Sequence, residues 1–144
     1  MGDDVFFDTN VIAYVFDENE KEKGRLASEL VMNVFNKKAT GIISNQVLFE
    51  LVLVLTRKLK KPLTKIMAEN LVESFIVSEN WKKVNYTHDT IKQAFDLVDK
   101  YNIPFVDAVI ASTAKSNGVS KIMTENEKDF RKIPGIVAIN PFKK

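Results

Sequence analysis

Val5-Phe6-Phe7-Asp8-Thr9-Asn10 is the stretch on which the reading of the fold turns. Three consecutive apolar residues suit a short strand buried on both faces, and the polar trio behind them then lies at the strand's carboxyl end. Gly41-Ile42-Ile43-Ser44 repeats the pattern, with Ser44 or Asn45 available to cap a helix from Gln46 to about Leu59, which Pro62 breaks. Ile122-Met123-Thr124 and Ile136 to Ile139 supply further strand candidates, and Lys82 to Asn85 an edge strand.

Helical spacing fills the intervals. Leu26, Leu30, Val31, Val34 and Phe35 recur on one face between about Asp17 and Asn36, and Ile66, Met67, Leu71, Phe75 and Ile76 do so between Thr64 and Asn80. Thr87 caps a helix carrying Ile91, Ala94, Phe95, Leu97 and Val98, and Asn102 with Pro104 ends it. Pro104 opens the next helix at its first position, and Gly118 is the left-handed residue beyond Asn117. Asp107 then falls in a first turn, where the helix dipole favours negative charge. Short strands alternating with helices specify an α/β protein, a three-layer α/β/α sandwich with a central, mainly parallel sheet of four to five strands. In such sheets the binding crevice lies at the carboxyl ends of the strands, where strand order reverses.

Residues 1–144 read as one domain, because a chain of this length buries roughly two-thirds of its unfolded surface and shows no repeat or linker. The absence of cysteine excludes disulfide frameworks, thiolate metal sites and Cys nucleophiles, and fits a reducing compartment. The lone His88, beside a helix start, reads as a surface residue, so no Ser/His/Asp set can be built. Met1-Gly2-Asp3-Asp4 is acidic where a secretory leader would be basic, and the apolar run Leu51 to Leu55 is too short to cross a bilayer. A cytoplasmic protein with no membrane partner is therefore expected. The net charge of +2 is no electrostatic signature by itself, but basic residues cluster at Arg57-Lys58-Leu59-Lys60-Lys61, Lys82-Lys83 and Lys143-Lys144, and each cluster suits either solvent or a phosphate backbone.

Three acids stand in strongly apolar company: Asp8 after Val5-Phe6-Phe7, Glu50 inside Val47 to Leu53, and Asp107 inside Ile103 to Ile110. Burying an unpartnered carboxylate is expensive, and Glu50 has no basic residue within i,i+4 reach, so its partner must come from tertiary space. A fourth acid is available from Thr124-Glu125-Asn126-Glu127-Lys128-Asp129-Phe130, a loop over the same sheet edge. Carboxylates converging at about 4 Å repel by roughly 4 kcal/mol per pair at an effective dielectric near 20, which calls for a cation or a proton. Hard oxygen ligands without His or Cys select Mg²⁺ or Mn²⁺, and the natural chemistry is phosphodiester hydrolysis by a metal-activated water. Each acid also has a plain structural reading: Asp8 as a helix cap, Asp107 as a first-turn acid, Glu50 as a buried ion-pair member.

With these residues in hand, the chain resembles the PIN-domain family, especially the small VapC-like toxin ribonucleases. Phe7-Asp8-Thr9-Asn10-Val11, Asn45-Gln46-Val47-Leu48-Phe49-Glu50, Pro104 to Ala111 and Met123 to Phe130 carry the resemblance. It implies a Mg²⁺- or Mn²⁺-dependent endoribonuclease acting on RNA, frequent homodimers and a cognate antitoxin. Asp8, Glu50 and Asp107 look like the three core catalytic and metal-binding acids. Many relatives place the fourth directly after Thr-x, where this chain has Asn126, so that role moves to Asp129, with Glu125 as the substitute. Asn10 and Thr124 look like polar groups that orient carboxylates or a metal-bound water. Two rival readings are a degenerate PIN domain acting as an RNA-binding or protein-interaction module, and a haloacid-dehalogenase-like phosphatase. The latter wants an acid where Asn10 stands.

Overall fold

A computed structural model describes residues 4–143. The acidic reading of residues 1–3 and Lys144 of the last basic pair lie outside the described residues. Among those described, five strands form one fully parallel sheet: β1 Val5–Phe7, β2 Gly41–Ser44, β3 Trp81–Val84, β4 Lys121–Met123 and β5 Val137–Ile139. Their spatial order is β3-β2-β1-β4-β5. Seven helices surround the sheet: α1 Thr9–Ala13, α2 Lys21–Phe35, α3 Asn45–Leu53, α4 Lys65–Val77, α5 His88–Tyr101, α6 Phe105–Ser116 and α7 Glu127–Phe130. The α/β/α sandwich expected from the sequence is the fold found.

Strand order fixes where a site can form. From β1 the chain steps outward through β2 to β3, then returns past β1 to β4 and β5 on the other side. Right-handed crossovers place the helices of the first half over one face and those of the second half over the other. Contacts agree with this: α1 packs on α2 and α3, α3 on α4, α5 on α6, and α6 on α7. Order reverses between β1 and β4, so the crevice of a doubly wound sheet opens at the carboxyl ends of these two strands. Pairing there continues to the edge of the crevice, since the Asp8 N–H donates to the Met123 carbonyl and the Thr124 N–H to that of Ile139.

The core is apolar on both faces of the sheet. Trp81 is buried among Phe7, Phe35 and Phe75, with ring centroids 5.0–5.8 Å apart. In α6 every residue from Ala108 to Ala114 is buried, which rigidly seats the first turn bearing Asp107.

Several boundaries differ from expectation for local reasons. Pro104 is the N-cap rather than the first helical residue, with ψ 141°, so Asp107 sits in the first turn of a helix starting at Phe105. The helix expected from Asp17 begins only at Lys21, after a 3₁₀ turn Tyr14–Phe16. The helix expected to run to Leu59 changes at Leu53 into a π-helical turn, Val54–Lys58. Thr87 caps α5 as expected and forms a reciprocal capping box with Thr90. Gly118 adopts φ +72° beyond Asn117, the left-handed geometry expected there. The five-residue α1 was not anticipated; it is too short to display a period.

Candidate active site

Asp8 caps α1 at the end of β1 and is 5% exposed. Its Oδ1 accepts from the Thr9 N–H at 2.7 Å and its Oδ2 from the Thr124 hydroxyl at 2.8 Å. Both donors are neutral, so burial dominates: the Asp8 pKa is raised from the ordinary 3.8 to about 6, with Glu50 adding repulsion and the two hydrogen bonds opposing.

Glu50 reaches the same place from α3, in the opposite half of the sequence pattern from Asp107. Its Oε1 accepts from the Thr9 hydroxyl at 3.0 Å. Thr9 therefore touches both Asp8 and Glu50, a link the sequence reading missed. Burial also raises the Glu50 pKa, with a further push from Asp107 and a counter-pull from the Thr9 hydrogen bond and Lys58. Lys58 lies eight residues on, beyond helical i,i+4 reach, and acts through space from the π-helical turn; tertiary space was expected to supply the partner, and Thr9 is the one it supplies.

Asp107, half-buried in the first turn of α6, has its pKa pushed up to about 6 by burial first and then by Asp8, with Asp129 adding to the rise. Its Oδ2 accepts from the Asn126 side-chain amide, which also donates to Asp129 Oδ2 at 2.9 Å. The Asn126 N–H in turn donates to the Thr124 hydroxyl oxygen at 2.9 Å. One hydrogen-bonded relay thus runs from Asp8 through Thr124 and Asn126 to Asp107 and Asp129. Beside burial, repulsion couples Asp8 with Glu50, Glu50 with Asp107 and Asp107 with Asp8.

Glu125 does not join them. Its Oε1 accepts from the Tyr14 hydroxyl and its Oε2 pairs with Lys23 Nζ, both at 2.6 Å, so its carboxylate is held by α2 and the preceding turn. Glu125, expected as the substitute fourth acid, is thus engaged with Tyr14 and Lys23. Asn10 Oδ1 accepts from the Glu125 N–H at 3.4 Å, which ties α1 to the loop after β4. Lys23 further lies 5.0 Å from the Tyr14 ring centroid. His88 is exposed, as expected.

The donor chemistry suits a hard divalent cation: partly buried carboxylate oxygens, with pKa values raised by burial first and by one another second. Among the described residues no group of three acids stands close enough to chelate an ion as placed. Hydroxyl and amide donors stand between the acids instead, so neutral hydrogen bonds share a burden the sequence reading gave wholly to a cation or a proton.

The family model described as PIN domain matches residues 5–136, and the chain belongs to the PIN-domain family. Solved structures with the same fold include a toxin–antitoxin complex from Klebsiella pneumoniae, 21% identical, TM-score 0.66, covering 97% of this chain and 99% of that one. Another is VapC20 of Mycobacterium tuberculosis, a sarcin–ricin-loop-cleaving toxin, 20% identical, TM-score 0.66, covering 85% and 91%. A third is VapBC2 of Rickettsia felis bound to a promoter DNA fragment, 21% identical, TM-score 0.65, covering 94% and 96%. At these identities the likeness speaks for the fold. No curated protein sequence matches the chain. Among the described residues no helix is long and apolar enough to cross a membrane.

Proposed function

We propose that this chain is a Mg²⁺- or Mn²⁺-dependent endoribonuclease, the toxin of a toxin–antitoxin pair. The observation that carries the reading is the hydrogen-bonded convergence of acids from distant elements: Thr9 joins Asp8 to Glu50, and Thr124 with Asn126 joins Asp8 to Asp107 and Asp129. Membership of the PIN family and likeness to a sarcin–ricin-loop-cleaving toxin support it.

Asp8, Glu50 and Asp107 would hold the ion, with Asp129 joining them through Asn126 as the fourth acid. When bound, Mg²⁺ or Mn²⁺ neutralises charge developing on the scissile phosphate and acidifies water. Asp8, buried and fixed by two donors, is the rigid anchor. Asp107 is less buried than Asp8 and is therefore the more open of the two to substrate. Thr124 and Thr9 keep the anchor oriented. Exposed Arg57, Lys58 and Lys60, at the end of the segment bearing Glu50, offer cations to the RNA backbone. Lys61 and Lys143 are engaged with Glu18 and Glu127 instead.

The haloacid-dehalogenase reading is disfavoured by the PIN-domain match over residues 5–136 and by Asn10 standing where that family wants an acid. A homodimer and an antitoxin belong to the same proposal, and exposed Phe49, Phe105 and Val106, neighbours of Glu50 and Asp107, supply apolar surface at the crevice. Co-expression with the product of the adjacent gene tests the antitoxin; recovery of the chain always alone counts against it. The nuclease itself is tested with single-stranded RNA. Cleavage is expected with Mn²⁺, none with EDTA, and none from Asp107→Asn in either condition. RNA bound equally well with and without metal and never cut would instead favour a degenerate, RNA-binding domain.

A further inference from the structure

The loop that follows β4 has two sides. Thr124 and Asn126 turn inward, where a hydroxyl and an amide hold Asp8, Asp107 and Asp129. Glu125 and Glu127 turn outward. Glu125 is held by Tyr14 and Lys23, and Glu127 by Lys143 Nζ at 3.0 Å and Arg131 Nη2 at 2.9 Å.

Behind this outer side lies the short segment Asn140-Pro141-Phe142-Lys143. Asn140 Oδ1 accepts from the Phe142 N–H at 3.0 Å, a local turn that Asn followed by Pro favours, and it brings the chain back after β5. Asn140 Nδ2 donates to the Glu125 carbonyl at 3.5 Å. The Phe142 ring meets the Tyr14 ring edge-on with centroids 5.0 Å apart, and Lys23 Nζ lies 5.8 Å from the Phe142 centroid. Phe142 therefore backs both side chains that hold Glu125, while Lys143 holds Glu127 directly. All four residues lie beyond the stretch that the PIN-domain model matches.

We propose that Phe142 and Lys143 are positioning residues for RNA cleavage: from the outer side of the loop they fix Glu125 and Glu127, and so keep Thr124 and Asn126 aimed at the acids. The inference rests on the ribonuclease reading above and adds to it a control on turnover that lies outside the crevice. Inward and outward residues alternate along the loop, so a slip on the outer side carries Thr124 and Asn126 with it. A misplacement of about 1 Å in a catalytic constellation can cost about a hundredfold in rate. Neither residue needs to touch RNA, since Phe142 packs on Tyr14 and the Lys143 ammonium is engaged by Glu127.

Amide hydrogen exchange, together with steady-state cleavage of single-stranded RNA in Mn²⁺, tests this on the intact chain. Phe142→Ala should speed exchange of the Thr124, Glu125 and Asn126 N–H groups by about tenfold or more, while Ala108 to Ala114 in α6 keep their protection. Its kcat should fall about tenfold with KM for RNA held within about twofold, and Phe142→Tyr, which keeps the ring, should restore both. Lys143→Met should act in the same direction but more weakly, as an exposed ion pair does. Added to Glu127→Gln it should change nothing further, because both substitutions remove one contact. Unchanged loop exchange, unchanged kcat, or exchange loosened through α6 as well would each overturn the proposal. So would a rise in KM alone, which would make Lys143 a phosphate contact. A wild-type chain that cuts no RNA overturns the ribonuclease reading instead, and the exchange measurement still decides whether residues 140–143 hold the loop.

Discussion

Thr9 makes two of the contacts that join distant acids: its N–H holds Asp8 and its hydroxyl holds Glu50. Neither contact carries a compensating charge, and that has a measurable consequence for Asp8. A carboxyl raised from 3.8 to about 6 binds its proton more tightly folded than unfolded. Its stabilising contribution is therefore complete below the unfolded value and is lost as pH rises through about 6. In EDTA, wild-type stability should fall as pH rises from about 4 to about 6, and denaturant unfolding at several pH values measures it. At pH 7 in EDTA, Asp8→Asn should be more stable than wild type by about 1–3 kcal/mol, since a two-unit shift is worth about 3 kcal/mol. That gain should fade at pH 4, and a large loss of stability would mean that Asp8 is a structural cap. The three acids were legible in the sequence because each interrupts an apolar run. Thr9 was not, because a threonine beside an aspartate acquires its role only when α3 brings Glu50 to it. The partners of Glu125 were hidden for a similar reason: Lys23 and Tyr14, which hold it, lie more than a hundred residues earlier in the chain.

Elements hold the site to differing degrees of tolerance. Gly41 opens β2 with no space for a side chain: an added Cβ would lie 2.8–2.9 Å from Val34 and Trp81 side-chain atoms. Gly41→Ala should destabilise by about 1–3 kcal/mol through overpacking between α2 and the sheet, measurable by chemical denaturation. Wild-type stability in that variant would show that α2 shifts without resistance. The loop after β4 is held differently, by Lys23 on Glu125 between Thr124 and Asn126. Lys23→Met should shift stability by less than about 1 kcal/mol, as a part-exposed pair. RNA cleavage should nevertheless drop roughly tenfold or more, because the groups that orient Asp8 and Asp107 loosen. Unchanged turnover would detach this anchor from the site. Strands and long helices were readable from periodicity, whereas α1, α7 and the π-helical turn after Leu53 were not. A one-turn helix has no period, and the change after Leu53 leaves no mark in an apolar sequence that suits either helix geometry.

At the scale of the molecule, function follows from the reversal of strand order. β1 and β4 end side by side, one helical layer delivers Glu50, the other delivers Asp107, and the loop after β4 delivers Thr124, Asn126 and Asp129. The sequence carried this architecture in its alternation of strand and helix. It could not say which acid of the last loop faces inward, because that depends on how α7 winds. Metal linkage is the global readout: Mn²⁺ should raise the melting temperature progressively with concentration, following RT ln(1 + [M]/Kd), and Asp107→Asn should blunt the rise. The claim beneath all of this is that Asp8 and Asp107 titrate as neighbours around one cation site. Side-chain carboxyl ¹³C chemical shifts followed against pH, in EDTA and in Mg²⁺, test it most directly. Both residues should titrate near 6 without metal and well below that with it. Midpoints at ordinary carboxylate values, indifferent to Mg²⁺, would contradict the account.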